Sequence, residues 1–319
     1  MKRPITRREF LAGSAAAAMG LTAGGTAPGA EFKTTLKKAL IGGPDEGFFR
    51  QLKEAGFDGL ECTAWNAKPA DAAKARALAE KTGVRIHSVL RGWLNLNVEK
   101  SVAGDLKSME TALAAAAGYG ADTVLTVPCH LGDVAMPQPW EFDIDFDEKT
   151  AHVRRVVQGD NEPYQKYIEG QNHATDTSRE ALNRLIPTAE KAKVIIAVEN
   201  VWNNLWVDPR LAACFVKSLD SPWVGFYFDI GNHVKYFPPQ RWIATLGKLI
   251  VKCHVKDFKL KPDGHGGNFV DIRDGSVDWP VVRAALDKIG YIGWMTIEVS
   301  GELSKAEQSE LLDLIIAGK

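Results

Sequence analysis

The sequence holds only four cysteines in 319 residues, Cys62, Cys129, Cys214 and Cys253, and no two stand in a CxxC spacing. That scarcity speaks against a disulfide framework or a zinc knuckle and points to free, buried thiols. Neither sign of charge dominates: 39 Lys and Arg against 40 Asp and Glu leave a formal net charge of −1. No basic tract or arm interleaved with aromatics occurs, so a nucleic-acid partner has no compositional support. The first candidate strand runs into "LIGGPDEG", which lacks the GxGxxG turn of a dinucleotide-binding sheet. No segment is apolar for long enough to span a bilayer, so stable membrane insertion is not expected.

What is present begins with an address. "TRREFLAG" puts Arg7 and Arg8 before Phe10 and Leu11, and the small, weakly apolar run "AGSAAAAMGLTAGG" follows. This is the pattern of a twin-arginine signal peptide over residues 1–30, read by the twin-arginine translocase. A periplasmic or otherwise exported protein is expected, with cleavage near Ala27 to Ala30. Losing residues 1–30 removes four cations (Lys2, Arg3, Arg7, Arg8) and one anion (Glu9), which takes the charge from −1 to −4. The translocase moves folded proteins, so a metal can be loaded before export.

The remainder has ordinary globular composition, 45% hydrophobic and 25% charged. Short apolar runs alternate with helical patterns: "KALIGG" (38–43), "GLECTA" (59–64), "RIHSVL" (85–90), "TVLTVPC" (123–129), "IIAVENV" (195–201), "VGFYFDIGN" (224–232), "LIVKCHVKDF" (249–258) and "WMTIEVSG" (294–301). Each is followed by a helical stretch, the last being "SKAEQSELLDLIIAG". Strict alternation implies parallel strands, and eight such units predict an α/β fold, a (β/α)8 TIM barrel occupying 31–319 as one domain. One connection is out of scale. Residues 130–176, after the fourth strand, read as an insertion or lid over the barrel mouth, and Trp140, Phe142 and Phe146 suit sugar stacking there.

Barrel strands are buried on both faces, so polar residues at their C-terminal ends need a reason. Strand five ends at Glu199, strand six at Asp229, strand seven carries His254 and strand eight ends at Glu298. Three converging carboxylates repel one another, and a divalent cation relieves that better than Lys256 alone. Three oxygens and one imidazole nitrogen suit Mn²⁺, Mg²⁺, Zn²⁺, Co²⁺ or Fe²⁺. In "KLIVKCHVKDF" (248–258), His254 then faces the interior as a ligand and Lys256 faces the substrate space. Lys252, deeper, is expected to be paired at the base.

"VEN", "FDIGN", "CHVKDF" and "IEVS", in this order, resemble the xylose isomerase-like TIM barrel superfamily (the sugar phosphate isomerase/epimerase family). That group includes ketose 3-epimerases, hydroxypyruvate isomerase, inosose dehydratase and endonuclease IV. The resemblance runs from about residue 36 to the end. It implies Glu199, Asp229, His254 and Glu298 as ligands of one divalent metal ion (Mn, Mg, Zn or Co), with Glu199 and Glu298 as the acid/base pair.

Lys256 is a third candidate catalytic group, as an oxyanion partner. Substrate contacts are expected from Asn200, Trp202, Asn232, His233 and Trp65, with Glu61, His87 and His130 as further pocket candidates, although His87 comes early in its strand. For Asn200 and Asp257, turn and cap chemistry accounts for the residue at least as well as a site role. Endonuclease IV carries a His where Asn232 stands and a DxH pair that "KLKPDGHGGNFVDIRDG" does not offer. His87 and His130 stand where they could mimic two of the other ligands of its three-metal site, but one metal is expected rather than three.

The leading expectation is an exported, metal-dependent isomerase or epimerase of an unphosphorylated sugar or keto-sugar, working by proton abstraction beside a carbonyl. A lyase or dehydratase of a 3-keto-glycoside or inosose shares that first step. A non-catalytic periplasmic sugar-binding barrel is the reading from another class, and a nuclease is the least favoured. Barrels of this kind often pair, so a homo-oligomer is compatible with the sequence.

Overall fold

A computed structural model describes residues 32–298 and 301–319; the twin-arginine segment falls outside the described residues. Eight parallel strands close into a barrel: β1 (Leu36–Gly42), β2 (Gly59–Cys62), β3 (Arg85–Trp93), β4 (Thr123–Val127), β5 (Ile195–Glu199), β6 (Val224–Asp229), β7 (Ile250–Val255) and β8 (Gly293–Ile297). Neighbours around the barrel follow chain order, and β8 pairs back with β1. This is the (β/α)8 fold that the alternation predicted. The strands form because their apolar runs can be covered on both faces: every residue of β2, β4 and β6 is buried.

Eight α-helices return the chain among the described residues: α1 (Glu46–Glu54), α2 (Pro69–Thr82), α3 (Glu99–Tyr119), α4 (Gln165–Ala192), α5 (Pro209–Lys217), α6 (Pro239–Leu246), α7 (Trp279–Lys288) and α8 (Lys305–Ile316). Their ends are written locally. Asp45, Asp208 and Asp278 cap α1, α5 and α7 through side-chain oxygens, and Ser304 with Glu307 forms a capping box on α8. None of the helices is long and apolar enough to cross a membrane.

Residues alternate between two environments along each strand. On β7, Cys253 and Val255 join the large core between sheet and helices, while Lys252 and His254 point into the barrel. Leu125, Ala197 and Tyr227 make a separate small apolar cluster, facing opposite to helix-covered neighbours such as Val124 and Val198. Lys252 is paired at the base, 2.7 Å from Asp122 just before β4, as expected. All four cysteines are free; Cys62, Cys129 and Cys253 are buried, while Cys214 is half-buried and donates to the Glu148 carbonyl.

The insertion after β4 is shorter than the sequence pattern indicated. A 3-10 turn at Glu162–Tyr164 leads straight into α4 at Gln165, so residues 165–176 are helix. The early turns of α4 bury Gln171, Thr175 and Ser178 among Tyr167, Ile168 and Ala174, and those polar side chains conceal the helical stripe. Gln171 accepts from the Trp206 N–H and Thr175 from its indole, which satisfies them in place. What remains includes a small antiparallel pair, Asp145–Phe146 with Val153–Arg155. Trp140 stacks on His265 at 4.0 Å, whereas Phe142 packs on Tyr167 and Tyr236, and Phe146 lies under Arg210. A second hairpin, Asp257–Leu260 with Gly267–Val270, follows β7.

Candidate metal centre at the barrel mouth

The register between β6 and β7 sets Asp229 directly beside His254, and Glu199 ends β5 next door. Glu298 follows the last residue of β8. Glu199, Asp229, His254 and Glu298 each offer one ligand atom, and these atoms lie within 4.8 Å of one another. His254 Nδ1 is 2.9 Å from Glu199 Oε1 and 3.6 Å from Glu298 Oε2, so both glutamates approach one edge of the ring. Lys256 contacts the Glu298 carboxylate and sits 3.5 Å from Asp229 Oδ2.

Backbone geometry turns one Asp229 oxygen away and leaves the other for the cluster. Oδ1 accepts from the N–H groups of Gly231 (2.8 Å) and Asn232 (2.6 Å). Oδ2 is buried and accepts no hydrogen bond. Gly231 is needed there, because an added Cβ would fall 2.6 Å from the Lys256 carbonyl oxygen. A buried carboxylate oxygen without a donor is costly unless something positive faces it.

Electrostatics of the protein's own groups point the same way. Burial pushes the Glu199 and Asp229 carboxyls up, although His254 and Lys256 respectively pull them down. Burial likewise opposes charge on His254 and Lys256, but neighbouring carboxylates outweigh it and hold both above their ordinary values. For Glu298, His254 and Lys256 overcome burial and hold the carboxyl down at about 2. Counting Glu61, four carboxylates face one lysine and one imidazole in this volume. Three oxygens, one nitrogen, an orphaned oxygen and an excess of negative charge fit a divalent cation.

The residues expected around the cluster divide into several groups. Asn200 clasps Asp229 through both its N–H (2.8 Å) and its carbonyl (2.8 Å), and Asn232 donates to the Asn200 carbonyl while accepting from Lys256. These amides brace the loops after β5 and β6 through bonds within the protein. His233 is 2% exposed, bonded to the Val201 carbonyl and packed against Tyr236 and Trp242. His87 is fully buried lower in the barrel, stacked on Trp294 at 4.4 Å and bonded to Thr296. Glu61, also fully buried, lies beside His254 Nε2 at 3.0 Å and takes a short bond from Tyr227. The pocket-lining role expected for His233, His87 and Glu61 therefore does not match their placement.

Trp202, Trp65 and His130 are the ones that reach solvent. Trp202 is 39% exposed, donates to the Asn232 carbonyl and lies 4.8 Å from the exposed Phe269 of the second hairpin. Lys256 Nζ is 5.0 Å from the Phe269 ring, which joins this aromatic pair to the cluster. Trp65 lies under Arg91, and exposed His130 meets Trp93 edge-on at 6.1 Å. His87 and His130 are thus in different environments, and the nuclease comparison gains nothing from them. Asp257 is a hub of its hairpin, accepting from Phe258, Arg273, Val277 and Trp279.

Sequence reading missed two residues. Tyr227 stands two positions before Asp229 on the same strand face, a spacing that flags it in retrospect. Phe269 lies in a segment without periodicity, and nothing in the sequence marks it.

His233 gives the first test. Burial pushes its imidazole down to about 3, below the ~6.5 of an unfolded histidine. A depressed histidine contributes full stability above the unfolded value and loses it as pH falls toward the folded value. Between pH 7.5 and 5 the wild type should lose about 2 kcal/mol more than His233→Gln, measured by urea unfolding. Equal losses would mean that the ring titrates in the folded state.

Comparison with known proteins gives a consistent picture. The family model described as xylose isomerase-like TIM barrel matches residues 49–315. L-ribulose-5-phosphate 3-epimerase UlaE of Escherichia coli is 28% identical over 151 residues, 46% of this chain and 50% of that protein. The chain spans about half the length of the curated relatives it matches. The structure of 3-keto-D-glucoside 4-epimerase YcjR from E. coli superposes with a TM-score of 0.65 at 16% identity, covering 88% of this chain and 99% of that one. The IOLI protein, solved with a bound zinc atom, gives 0.64 at 15% identity, covering 88% and 96%. The matched span exceeds four-fifths of the sequence and carries the whole strand–helix series bar its first elements. This chain belongs to the xylose isomerase-like TIM barrel family.

Proposed function

We propose that the protein is an exported, metal-dependent isomerase or epimerase of an unphosphorylated sugar or keto-sugar. The observation that carries this reading is the cluster of Glu199, Asp229, His254 and Glu298, with the orphaned Asp229 Oδ2 and the Lys256 ammonium beside it. The names of UlaE and YcjR, both epimerases, support it. Export rests on the Arg7–Arg8 segment; export argues against a phosphorylated substrate, and the mildly acidic chain left after removal of that segment shows no basic phosphate cradle.

A divalent ion held by the four ligands would supply a Lewis acid for the substrate carbonyl. The protein's own groups do the rest. Glu199 and Glu298 enter the cluster from the ends of β5 and β8, and as the acid/base pair they would serve opposite faces of a bound substrate carbon. One removes the proton beside the carbonyl and the other delivers one to the opposite face. Lys256 presents N–H donors to a substrate oxygen while neutralising Asp229 and Glu298. Trp202 and Phe269 form an apolar rim that suits the C–H face of a sugar ring.

The test is elemental analysis of the exported protein, followed by incubation of keto-sugars in D2O. One equivalent of divalent metal and solvent deuterium at the carbon beside the carbonyl are expected. Metal without exchange on any keto-sugar would leave a sugar- or metal-binding barrel. A 3-keto-glycoside that exchanges and then loses its leaving group would identify the lyase instead.

A further inference from the structure

Glu61 is a carboxylate beside the cluster that does not belong to it. It comes from β2, and two strands, β1 and β8, separate β2 from β7 around the barrel. Its side chain crosses the interior to reach His254 on the far side. Leu60 and Cys62 pack in the core between sheet and helices, so the alternation along β2 turns Glu61 into the barrel; the register shift in its pairing with β3 accommodates the extra residue His87 on β3. Oε2 then receives two groups at once, His254 Nε2 at 3.0 Å and the Tyr227 hydroxyl. The Tyr227 ring packs 4.5 Å from His254, and its hydroxyl lies 3.4 Å from Ser88 Oγ. Glu61, Tyr227 and His254 are all fully buried.

An acid in this position is costly if it serves packing alone. A barrel interior of this kind is ordinarily filled by branched aliphatic side chains. Replacing a buried ionic group by an apolar one of similar volume is often neutral or stabilising. The arrangement has a different consequence for His254. Glu61 accepts the Nε2 proton, and Glu199 and Glu298 approach Nδ1. A bonded Nε2–H leaves the Nδ1 lone pair for the cluster, and the fixed hydrogen bond sets the ring's rotation.

We propose that Glu61 and Tyr227 are positioning residues: Glu61 holds His254 with Nδ1 aimed at the metal position, and Tyr227 holds Glu61. The inference rests on the cluster being a metal centre, and it assigns both residues a task that is not substrate contact. It also explains why Glu61 lies below the mouth.

The test measures metal affinity on the full folded chain, by chelator competition with Zn²⁺ and Mn²⁺, beside the absorption spectrum of the Co²⁺ form. Glu61→Gln keeps an acceptor for Nε2–H and should weaken binding about 10-fold, and Glu61→Leu about 100-fold. Tyr227→Phe should weaken it by a smaller factor. The Co²⁺ bands should shift in all three, while the urea midpoints of Glu61→Gln and Tyr227→Phe stay near that of wild type. Wild-type affinity and an unchanged Co²⁺ spectrum in Glu61→Gln and Tyr227→Phe would overturn the inference and leave a structural plug. Should Glu61→Leu fail to fold, the other two variants still decide. A wild-type protein that binds none of these ions overturns the metal-centre reading itself, and this inference with it.

Discussion

Glu298→Gln should lose net conversion of one epimer into the other by about 10²- to 10⁴-fold, the range that one acid/base group contributes. The amide is isosteric, and Glu298 is the most exposed of the four cluster residues, with 26% of its side chain accessible, so the fold should tolerate it. Three ligands would remain, and metal should be weakened rather than lost. Deuterium gives the sharper readout. If Glu199 and Glu298 serve opposite faces, Glu298→Gln still washes the proton out of one epimer and not the other. In Glu199→Gln the surviving epimer should be the other one. Parallel loss from both epimers in both variants would mean that the glutamates act only as ligands. Wild-type conversion in Glu298→Gln would remove it from the chemistry.

His254→Ala is the second large effect, and it concerns folding as well as metal. In the wild type the ring separates Glu61 on one side from Glu199 on the other, at 3.0 and 2.9 Å. Removing it leaves two buried carboxylates without their shared partner and opens space between them. Breaking a buried charged pair in this way costs about 3–5 kcal/mol. Chelator-treated His254→Ala should therefore unfold at a much lower urea concentration than chelator-treated wild type. Metal content should fall below what two carboxylates and the imidazole retain in Glu298→Gln, since the nitrogen donor is gone. Stability within about 1 kcal/mol of wild type would show that the surrounding carboxylates are already neutral when folded, and that the ring does not hold them.

The two variants separate roles that the cluster combines. Glu298 is reached from outside and touched by Lys256, whereas His254 is fully enclosed. A carboxylate at the rim can exchange protons with a substrate, whereas the His254 ring is taken up on its two nitrogens by Glu61 and Glu199. That difference is a property of depth in the barrel and is invisible along the chain, where both residues follow apolar runs.

How much could be read in advance differs from element to element. All eight barrel strands were legible, because a parallel strand covered on both faces must be written as a nearly continuous apolar run. Glu199, Asp229, His254 and Glu298 stood out for the same reason: a charged group in or just after such a run has no ordinary explanation. The start of α4 was not legible. Its buried face carries Gln171, Thr175 and Ser178, whose fitness depends on partners such as Trp206 supplied by another loop. Asn200, Asn232 and His233 looked like pocket residues because they adjoin ligands in sequence. Their side chains are spent on neighbouring carbonyls and amides, a choice made only when the loops after β5 and β6 meet.

By itself, the order of apolar runs and helical stripes determined the barrel, since alternation leaves parallel strands no other short connection. Polarity at four strand ends determined which residues could meet at its mouth. Only closure of the barrel decided the rest. Glu61 and His254 lie 193 positions apart and come within hydrogen-bond distance because both point inward across a narrow interior. Whether a carboxylate faces substrate, metal or a histidine's far nitrogen depends on depth and direction inside that space. A one-dimensional pattern carries the direction only as a parity along each strand, and a single extra residue, such as His87 on β3 where that strand pairs with β2, is enough to change it.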